Sequence, residues 1–387
     1  MANTLNLGTD GNWATKENSL LGYNSENGNY KPLPFDFTRA SSATVVNKAG
    51  LIETVGNNIP RIDFKDNTNG ALLLEPQKTN LVTYSEDFSS SWASSGTNPP
   101  VLTPSQFISP DGTQNASRLQ IPITNTTSIL QQLFSHTSGE EYTVSAYVKS
   151  NSSSNQEFKL YGDYGVPTGI SGVLIATSEW QRFTFTYTAT GTGSRSGGFY
   201  YVPNTNTDIQ IYGFQAEKGS YATSYIPTSG SAVTRLLDSC SNGGNEQVIN
   251  STEGVLYFNA MTKDSSSTSK AISISNGSNT ILSSYFYGAS INVVFNINGV
   301  NQFYANFSIT IGQEYKIAIL YQENNFALYV DGVKRVEETN GSVPSINTFN
   351  TLNFAQESSS NFYGNVKDVR VYNTALTDEE LQALTTI

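Results

Sequence analysis

The side chains that most often do covalent chemistry are scarce in this chain. It holds one histidine, His136, and one cysteine, Cys240. A lone Cys forms no disulfide within the chain, and one Cys with one His cannot complete a zinc site of Cys and His ligands. A Ser/His/Asp triad would have to use His136, but its setting, LFSHTSGEE, reads as a surface turn leading into a strand, and no G-x-S-x-G elbow is present. Glycoside hydrolysis needs two carboxyl groups roughly 5 to 10 Å apart. The acidic pairs Glu86-Asp87, Glu140-Glu141, Glu337-Glu338 and Asp378-Glu379-Glu380 are sequence neighbours, which on a strand point to opposite faces. They read as solvated turns and a helix cap. The Gly-rich stretch at 191 to 198 lacks the Lys-Ser/Thr and helix of a phosphate loop and reads as a hairpin. Loop Asp and Asn oxygens could hold Ca²⁺, but no EF-hand motif occurs. The expectation is no catalytic residue, no metal ligand set, no cofactor, and so no enzyme.

Aromatic side chains remain as candidate contact groups. The chain has 22 Tyr and 20 Phe. Tyr161, Tyr164, Tyr200, Tyr201, Tyr285 and Tyr287 lie near loops or on strands with aromatics on both faces, so some must leave the core. An exposed Tyr ring offers an apolar face with a hydroxyl rim, suited to stacking on a sugar or packing at a protein interface. Trp92 and Trp180, placed just before strands, read as core residues.

The elements that must position these groups are strands. In WQRFTFTYTAT, Phe183, Phe185 and Tyr187 fall on one face while Arg182, Thr184, Thr186 and Thr188 fall on the other. Similar runs recur every ten or so residues with Gly, Asn, Ser and Asp between them, as in antiparallel sandwiches. Asp331-Gly332 and Asn298-Gly299 are hairpin turns, because these residue types tolerate the positive φ of a type I′ turn. One helix is expected, at TDEELQALT, where Thr377 and Glu380 form a capping box and Leu381 and Leu384 share a face. The fold class is therefore all-β: two antiparallel β-sandwich, jelly-roll domains, a short β-rich N-terminal adaptor and one short C-terminal helix. Composition shifts divide the chain into an N-terminal segment (1–35), a β-meander adaptor (36–78), a β-sandwich (79–236), a linker (237–252) and a second β-sandwich (253–387).

Composition narrows the partners. Charged residues make up 14 % of the 387, against a usual share of roughly 25 %. The net charge of −11 and the lack of any Lys/Arg cluster argue against nucleic acid and anionic membranes. No stretch approaches 18 apolar residues, so no membrane insertion is expected, and the N-terminus has neither a basic nor an apolar signal region.

The adaptor stretch FTRASSATVVNKAGLIETVGNNIPRIDF (37–64) carries Arg39 and Arg61 with no chemistry-bearing neighbour. Both are expected to be structural, pairing with Glu53, Asp63 or Glu75 either within the chain or across a subunit interface. Together with ALLLEPQKTNLVTYSEDFSSSW and GFQAEKGSYATSYIPTSGSAVTR, in that order, this stretch resembles a module of tailed-bacteriophage tail fibres and related virion appendages, whose central part looks like a carbohydrate-binding-module jelly roll. The C-terminal LYVDGVKRV and GNVKDVRVYNTALTDEELQAL resemble the end of a laminin-G/concanavalin A-like lectin domain, with Asp331, Gly332, Gly364, Val369, Arg370, Tyr372, Leu376 and Leu381 at the matching, mostly structural positions. The resemblance implies a non-enzymatic virion structural protein, a tail-fibre or head-fibre subunit assembled in the bacterial cytoplasm, that displays lectin-like domains to a bacterial surface glycan. It further implies attachment to other virion proteins through residues 1–35, with Trp13, Tyr23 and Tyr30 as anchors ordered on docking, and a homo-oligomer, a trimer in preference to a dimer. The alternatives are a purely structural collar or decoration subunit that binds no glycan and, less favoured, a polysaccharide depolymerase.

Overall fold

The computed structural model describes residues 3–30, 34–65, 67–277, 280–356 and 360–387. Strands dominate it, in antiparallel sheets, and they form two sandwiches. In the central sandwich, one five-stranded sheet runs in the order Ala93–Gly96, Ser128–His136, Gly193–Tyr200, Gln156–Tyr161, Leu174–Ala176. Its partner runs Val101–Phe107, Ala116–Ile121, Thr207–Lys218, Glu141–Ser150, Gln181–Thr188. Alternation explains the core. Leu130, Phe134, Phe158, Leu160 and Phe199 from the first sheet meet Leu119, Val144, Val148, Ile211 and Phe214 from the second. Phe183, Phe185 and Tyr187 pack against the same core, as their spacing requires. Trp92 lies against Phe88 and Phe214 and donates its indole N–H to the Tyr84 carbonyl (2.7 Å).

The C-terminal sandwich sets a five-stranded sheet (Val300–Ser308, Ser290–Ile297, Ile281–Tyr287, Lys270–Ser275, Thr351–Asn353) against an eight-stranded one. The latter runs Val333–Glu338, Asn325–Val330, Tyr315–Gln322, Glu253–Met261, Gly364–Tyr372, Ala71–Leu74, Ile62–Asp63. Both expected hairpin turns form, with φ of 49° and 77° at Asp331 and Gly332 and of 51° and 80° at Asn298 and Gly299. The helix Asp378–Thr385 carries the expected capping box between Thr377 and Glu380. Its Leu381 packs with Val255, Tyr257, Leu320 and Tyr329, covering one face of the eight-stranded sheet. Among the described residues no helix is long and apolar enough to cross a membrane.

The N-terminal region departs from the expected divisions. Several described strands from residues 1–35 and 36–78 are built into the C-terminal sandwich. Leu5–Leu7 pairs with Val369, Arg370 and Val371, while Leu72, Leu73 and Leu74 pair with Val366, Asn365 and Gly364. Two short N-terminal strands thus share one edge of the strand Gly364–Tyr372, a row of backbone groups that would otherwise template aggregation. Residues 237–252 are not a free linker either. Ser239–Ser241 pairs with Pro34–Thr38, and Cys240 is buried in the C-terminal core. Of the expected meander, Ala43–Val46 and Ile52–Val55 form a hairpin by themselves. Ile52 from that hairpin packs with Tyr147, Trp180, Tyr212 and Tyr225 on the central sandwich. Ile52 also donates its backbone N–H to the Pro110 carbonyl (2.9 Å) and the Thr44 hydroxyl donates to the Tyr225 carbonyl, so the adaptor is a wedge hydrogen-bonded to both sandwiches.

Candidate functional site

Four of the six candidate tyrosines converge. Tyr161 and Tyr200 lie on adjacent strands of the central sandwich, Tyr201 follows at once, and Tyr164 comes from the loop after Tyr161. Ring centroids are 5.6 Å apart for Tyr161 and Tyr200, 6.2 Å for Tyr161 and Tyr164, 6.5 Å for Tyr164 and Tyr200, and 4.8 Å for the stacked Tyr200 and Tyr201. Tyr161 is fully buried beneath the others, and burial pushes its hydroxyl well above the usual phenol range. It is the floor of the cluster and not a contact group, which corrects its candidacy. Tyr164 is 41 % exposed, and Tyr200 and Tyr201 are partly exposed.

Tyr164 and Tyr200 form two walls of a groove of about 450 Å³ that is also lined by Lys159, Val166, Pro167 and Ile170. That volume lies in the usual small-ligand range of roughly 300 to 1,000 Å³. The lining holds one ammonium and no carboxylate, so the groove can stack on a ring and bond hydroxyls but lacks the acid pair that glycoside cleavage requires.

The loop that carries Tyr164 is fixed from below. Asp163, fully buried, pairs with Arg195 and accepts from the Thr190 backbone N–H and hydroxyl (both 3.1 Å). Arg195 also donates to the Tyr164 carbonyl (3.3 Å). Gly162 opens the loop with no room for a side chain, since a Cβ there would stand 2.0 Å from the Tyr187 ring. That ring is held in turn by His136. The histidine is buried, not on a surface turn as its sequence suggests; its Nε2 accepts from the Tyr187 hydroxyl (2.6 Å) and its Nδ1–H donates to the Phe134 carbonyl (3.1 Å). Burial lowers its pKa, keeping it neutral. Gly162→Ala is therefore expected to cost about 1 to 3 kcal/mol by overpacking and to displace Tyr164. Chemical denaturation and near-UV circular dichroism would measure the two effects.

Tyr285 and Tyr287 do not join this cluster. They stand on the C-terminal sandwich, beside Tyr304, which its own alternating run QFYANF marks as outward but which was not singled out from the sequence. Trp13 packs against the C-terminal core and donates its indole N–H to the Asn69 carbonyl (3.0 Å), so it is ordered within the chain rather than by docking. Tyr23 and Tyr30 form an edge-to-face pair at 5.0 Å, with Tyr30 42 % exposed. Asp331 and Gly332 are structural: besides forming their turn, Asp331 Oδ1 accepts from the Lys316 backbone N–H (2.9 Å) and the Gly332 N–H donates to the Thr385 hydroxyl (3.1 Å).

Arg39 and Arg61 pair within the chain. Asp238 bridges them: Arg39 Nη1 lies 3.1 Å from one carboxylate oxygen and Arg61 Nη2 contacts the other. Arg61 Nη1 and Arg235 Nη1 both lie 2.8 Å from Glu75 Oε2, and Ser224 donates to the same oxygen (2.6 Å). Of the expected acidic partners Glu75 holds, whereas Glu53 accepts from Asn47 and Asp63 from the Val46 backbone. The three ordered motifs thus meet in one buried cluster, with Arg39 and Arg61 from the first, Glu75 from the second, and Ser224 and Arg235 from the third. Beside it, a cavity of about 80 Å³ is lined by Asp63, Glu75, Tyr147, Arg182, Ser224 and Tyr363. This volume is far below that of a ligand pocket. Among the described residues no group of three or more His, Cys, Asp or Glu is placed to hold a metal ion.

Residues 247–382 match the family model of the concanavalin A-like lectin/glucanases superfamily, so the C-terminal sandwich is lectin-like in fold. A search of curated proteins found no match. Solved structures similar to this chain include the IT-sialidase CBM40 of Ruminococcus gnavus bound to α2,3-sialyllactose (15 % identity, TM-score 0.32, covering 35 % of this chain and 83 % of that one). Domain 4 of AbnA, a GH43 extracellular arabinanase from Geobacillus stearothermophilus in complex with arabinotriose, is 13 % identical (TM-score 0.34, 43 % and 82 % covered). The CBM22-1–CBM22-2 tandem of Paenibacillus barcinonensis Xyn10C is 12 % identical (TM-score 0.29, 78 % and 99 % covered).

Proposed function

We propose that this protein is a non-enzymatic adhesion subunit of a tailed-phage fibre or appendage, and that the Tyr164–Tyr200 groove is its saccharide platform. The observation that carries the glycan part is a solvent-facing groove walled by tyrosine rings, held by the pairing of buried Asp163 with the partly exposed Arg195, and free of carboxylates. Rings fixed before binding lose little conformational freedom on contact, which is what a weak, repeated adhesion site needs. A single-site affinity around millimolar becomes useful when copies are displayed together, since effective concentration raises avidity by roughly 10² to 10⁴. The virion part rests on the three ordered motifs. In this chain the three contribute to one buried cluster, so they act as a single structural unit. A homotrimer with Tyr23 and Tyr30 facing a virion partner completes the reading.

The experiment is a glycan array of host surface polysaccharides probed with the protein and with Tyr164→Ala and Tyr200→Ala. Each substitution is expected to weaken binding at least tenfold, about 1.4 kcal/mol. Equal signal from wild type and variants would remove the groove from the reading, and the release of new reducing ends would replace adhesion by hydrolysis. A purely structural subunit is favoured by exposed apolar residues on the central sandwich, Val101 at 58 %, Ile123 at 64 % and Leu133 at 60 % exposure. A flat array together with burial of these residues between subunits would select it.

A further inference from the structure

One sheet face of the C-terminal sandwich is unusual in its charge. In the five-stranded sheet, Leu282, Phe286, Ile291, Val293, Phe295, Phe303 and Ala305 enter the core. Alternation turns the residues between them to the opposite face, where Tyr285 stands across from Asn292 and Val294 across from Tyr304. Among the described residues of this face, none from the five strands is Asp, Glu, Lys or Arg. Tyr287 and Tyr304 are 46 % and 52 % exposed. Asn292 Oδ1 accepts from the Tyr304 hydroxyl (3.0 Å) and from Asn306 Nδ2 (2.7 Å), which fixes the amide and leaves its N–H groups as donors. Gln356, three residues beyond the edge strand Thr351–Asn353, accepts from Ser283 Oγ (3.3 Å) and closes one side. The result is a basin of about 580 Å³ between Tyr285, Tyr287, Asn292, Asn296 and Gln356.

We propose that this basin is a second saccharide site, separate from the jelly-roll groove, and that it takes a neutral, hydroxyl-rich glycan chain. Amides and phenols supply both donors and acceptors, as sugar hydroxyls require, and the rings supply apolar faces. An acidic glycan would lose hydration here without meeting a cation, on a chain whose net charge is −11. A second copy of the chain is a poorer occupant. A stable interface buries upwards of roughly 1,000 Å² around an apolar core, whereas the basin offers one aliphatic side chain, Val294, among amides that would each need a partner. The jelly-roll groove differs in holding Lys159, so the two sites should sort glycans by charge.

The test is affinity electrophoresis of the full chain through gels containing dextran, mannan, galactomannan or laminarin as neutral probes, and polygalacturonate or hyaluronan as acidic ones. Retardation by at least one neutral probe is expected, weakened tenfold or more by Tyr287→Ala and by Tyr304→Ala and unchanged by Tyr164→Ala. Both substituted residues are exposed, and Asn296→Ala gives a second, smaller perturbation of the same basin. The proposal is overturned if no neutral probe retards the protein, or if Tyr164→Ala and not Tyr287→Ala abolishes retardation. It is equally overturned if sedimentation equilibrium shows self-association that Tyr287→Ala removes. On the acidic probes, retardation that Tyr164→Ala leaves intact would defeat the jelly-roll groove, and the neutral-probe result would leave this site standing.

Discussion

Asp238→Asn is expected to destabilise the protein by about 3 to 5 kcal/mol, the cost of leaving buried charges unpaired. Asp238 is fully buried and touches both Arg39 and Arg61, and it also accepts from the Glu75 backbone N–H (2.8 Å). The cluster holds Arg39, Arg61 and Arg235 against Glu75 and Asp238, so it already carries one excess positive charge. Removing Asp238 leaves three guanidinium groups facing one carboxylate where water cannot screen them. Arg39→Met is expected to cost less, because it leaves two charges of each sign; its losses are the hydrogen bonds to the carbonyls of Ser41, Gly56 and Ile59. The double variant should then cost less than the sum of the singles, a coupling that urea denaturation of all four proteins would measure. Additive effects, or a loss below 1 kcal/mol for Asp238→Asn, would show that the cluster does not hold the wedge between the sandwiches.

That cluster also marks where the sequence stops being readable. Strands, turns and the capped helix were legible because each depends on residues a few positions apart. The partners of Arg39 and Arg61 were not, since Asp238 lies 199 and 177 positions away, and nothing local distinguishes it from a surface aspartate. Leu5–Leu7 and Ala71–Leu74 are too short to show a period, and their role is set by an edge formed some 300 to 360 residues later. The tyrosine groove was half legible. Alternation through Phe158 and Leu160 turns Tyr161 outward, but only the loop beyond it decides that Tyr164 and Tyr200 cover it. His136 shows a signal that was present and outweighed. Leu130, Gln132 and Phe134 continue to it at period two, all buried, yet the turn that follows suggested exposure.

Acid should unfold the protein in two limbs. In the first, His136 is neutral and buried with a lowered pKa, so as pH falls below about 6.5 the unfolded chain takes up a proton that the folded chain refuses, and stability declines. Glu86 opposes this: burial raises its carboxyl above 4.5 despite hydrogen bonds from Tyr225 and Tyr212, so its folded form gains a proton first and stability rises as pH falls through that value. The first limb should therefore be shallow. In the second, burial alone would raise Glu75, but Arg235, Arg61 and Ser224 hold its carboxyl far below 4.5. Its contribution is present above the unfolded value and lost as pH falls below about 4.5. Asp111, held at about 2 by bonds from Ser109, Thr113 and Asn115 against the burial that would raise it, adds to the same limb in a more solvated place. A paired carboxylate of this kind is worth about 2 to 3 kcal/mol, so the steep limb should remove roughly 2 to 4 kcal/mol between pH 4.5 and pH 2. Unfolding free energies from urea titrations at half-unit pH steps give both slopes. Glu75→Gln should flatten the limb below 4.5 and leave the upper one unchanged, whereas an equally steep lower limb in that variant would move acid lability away from the buried cluster.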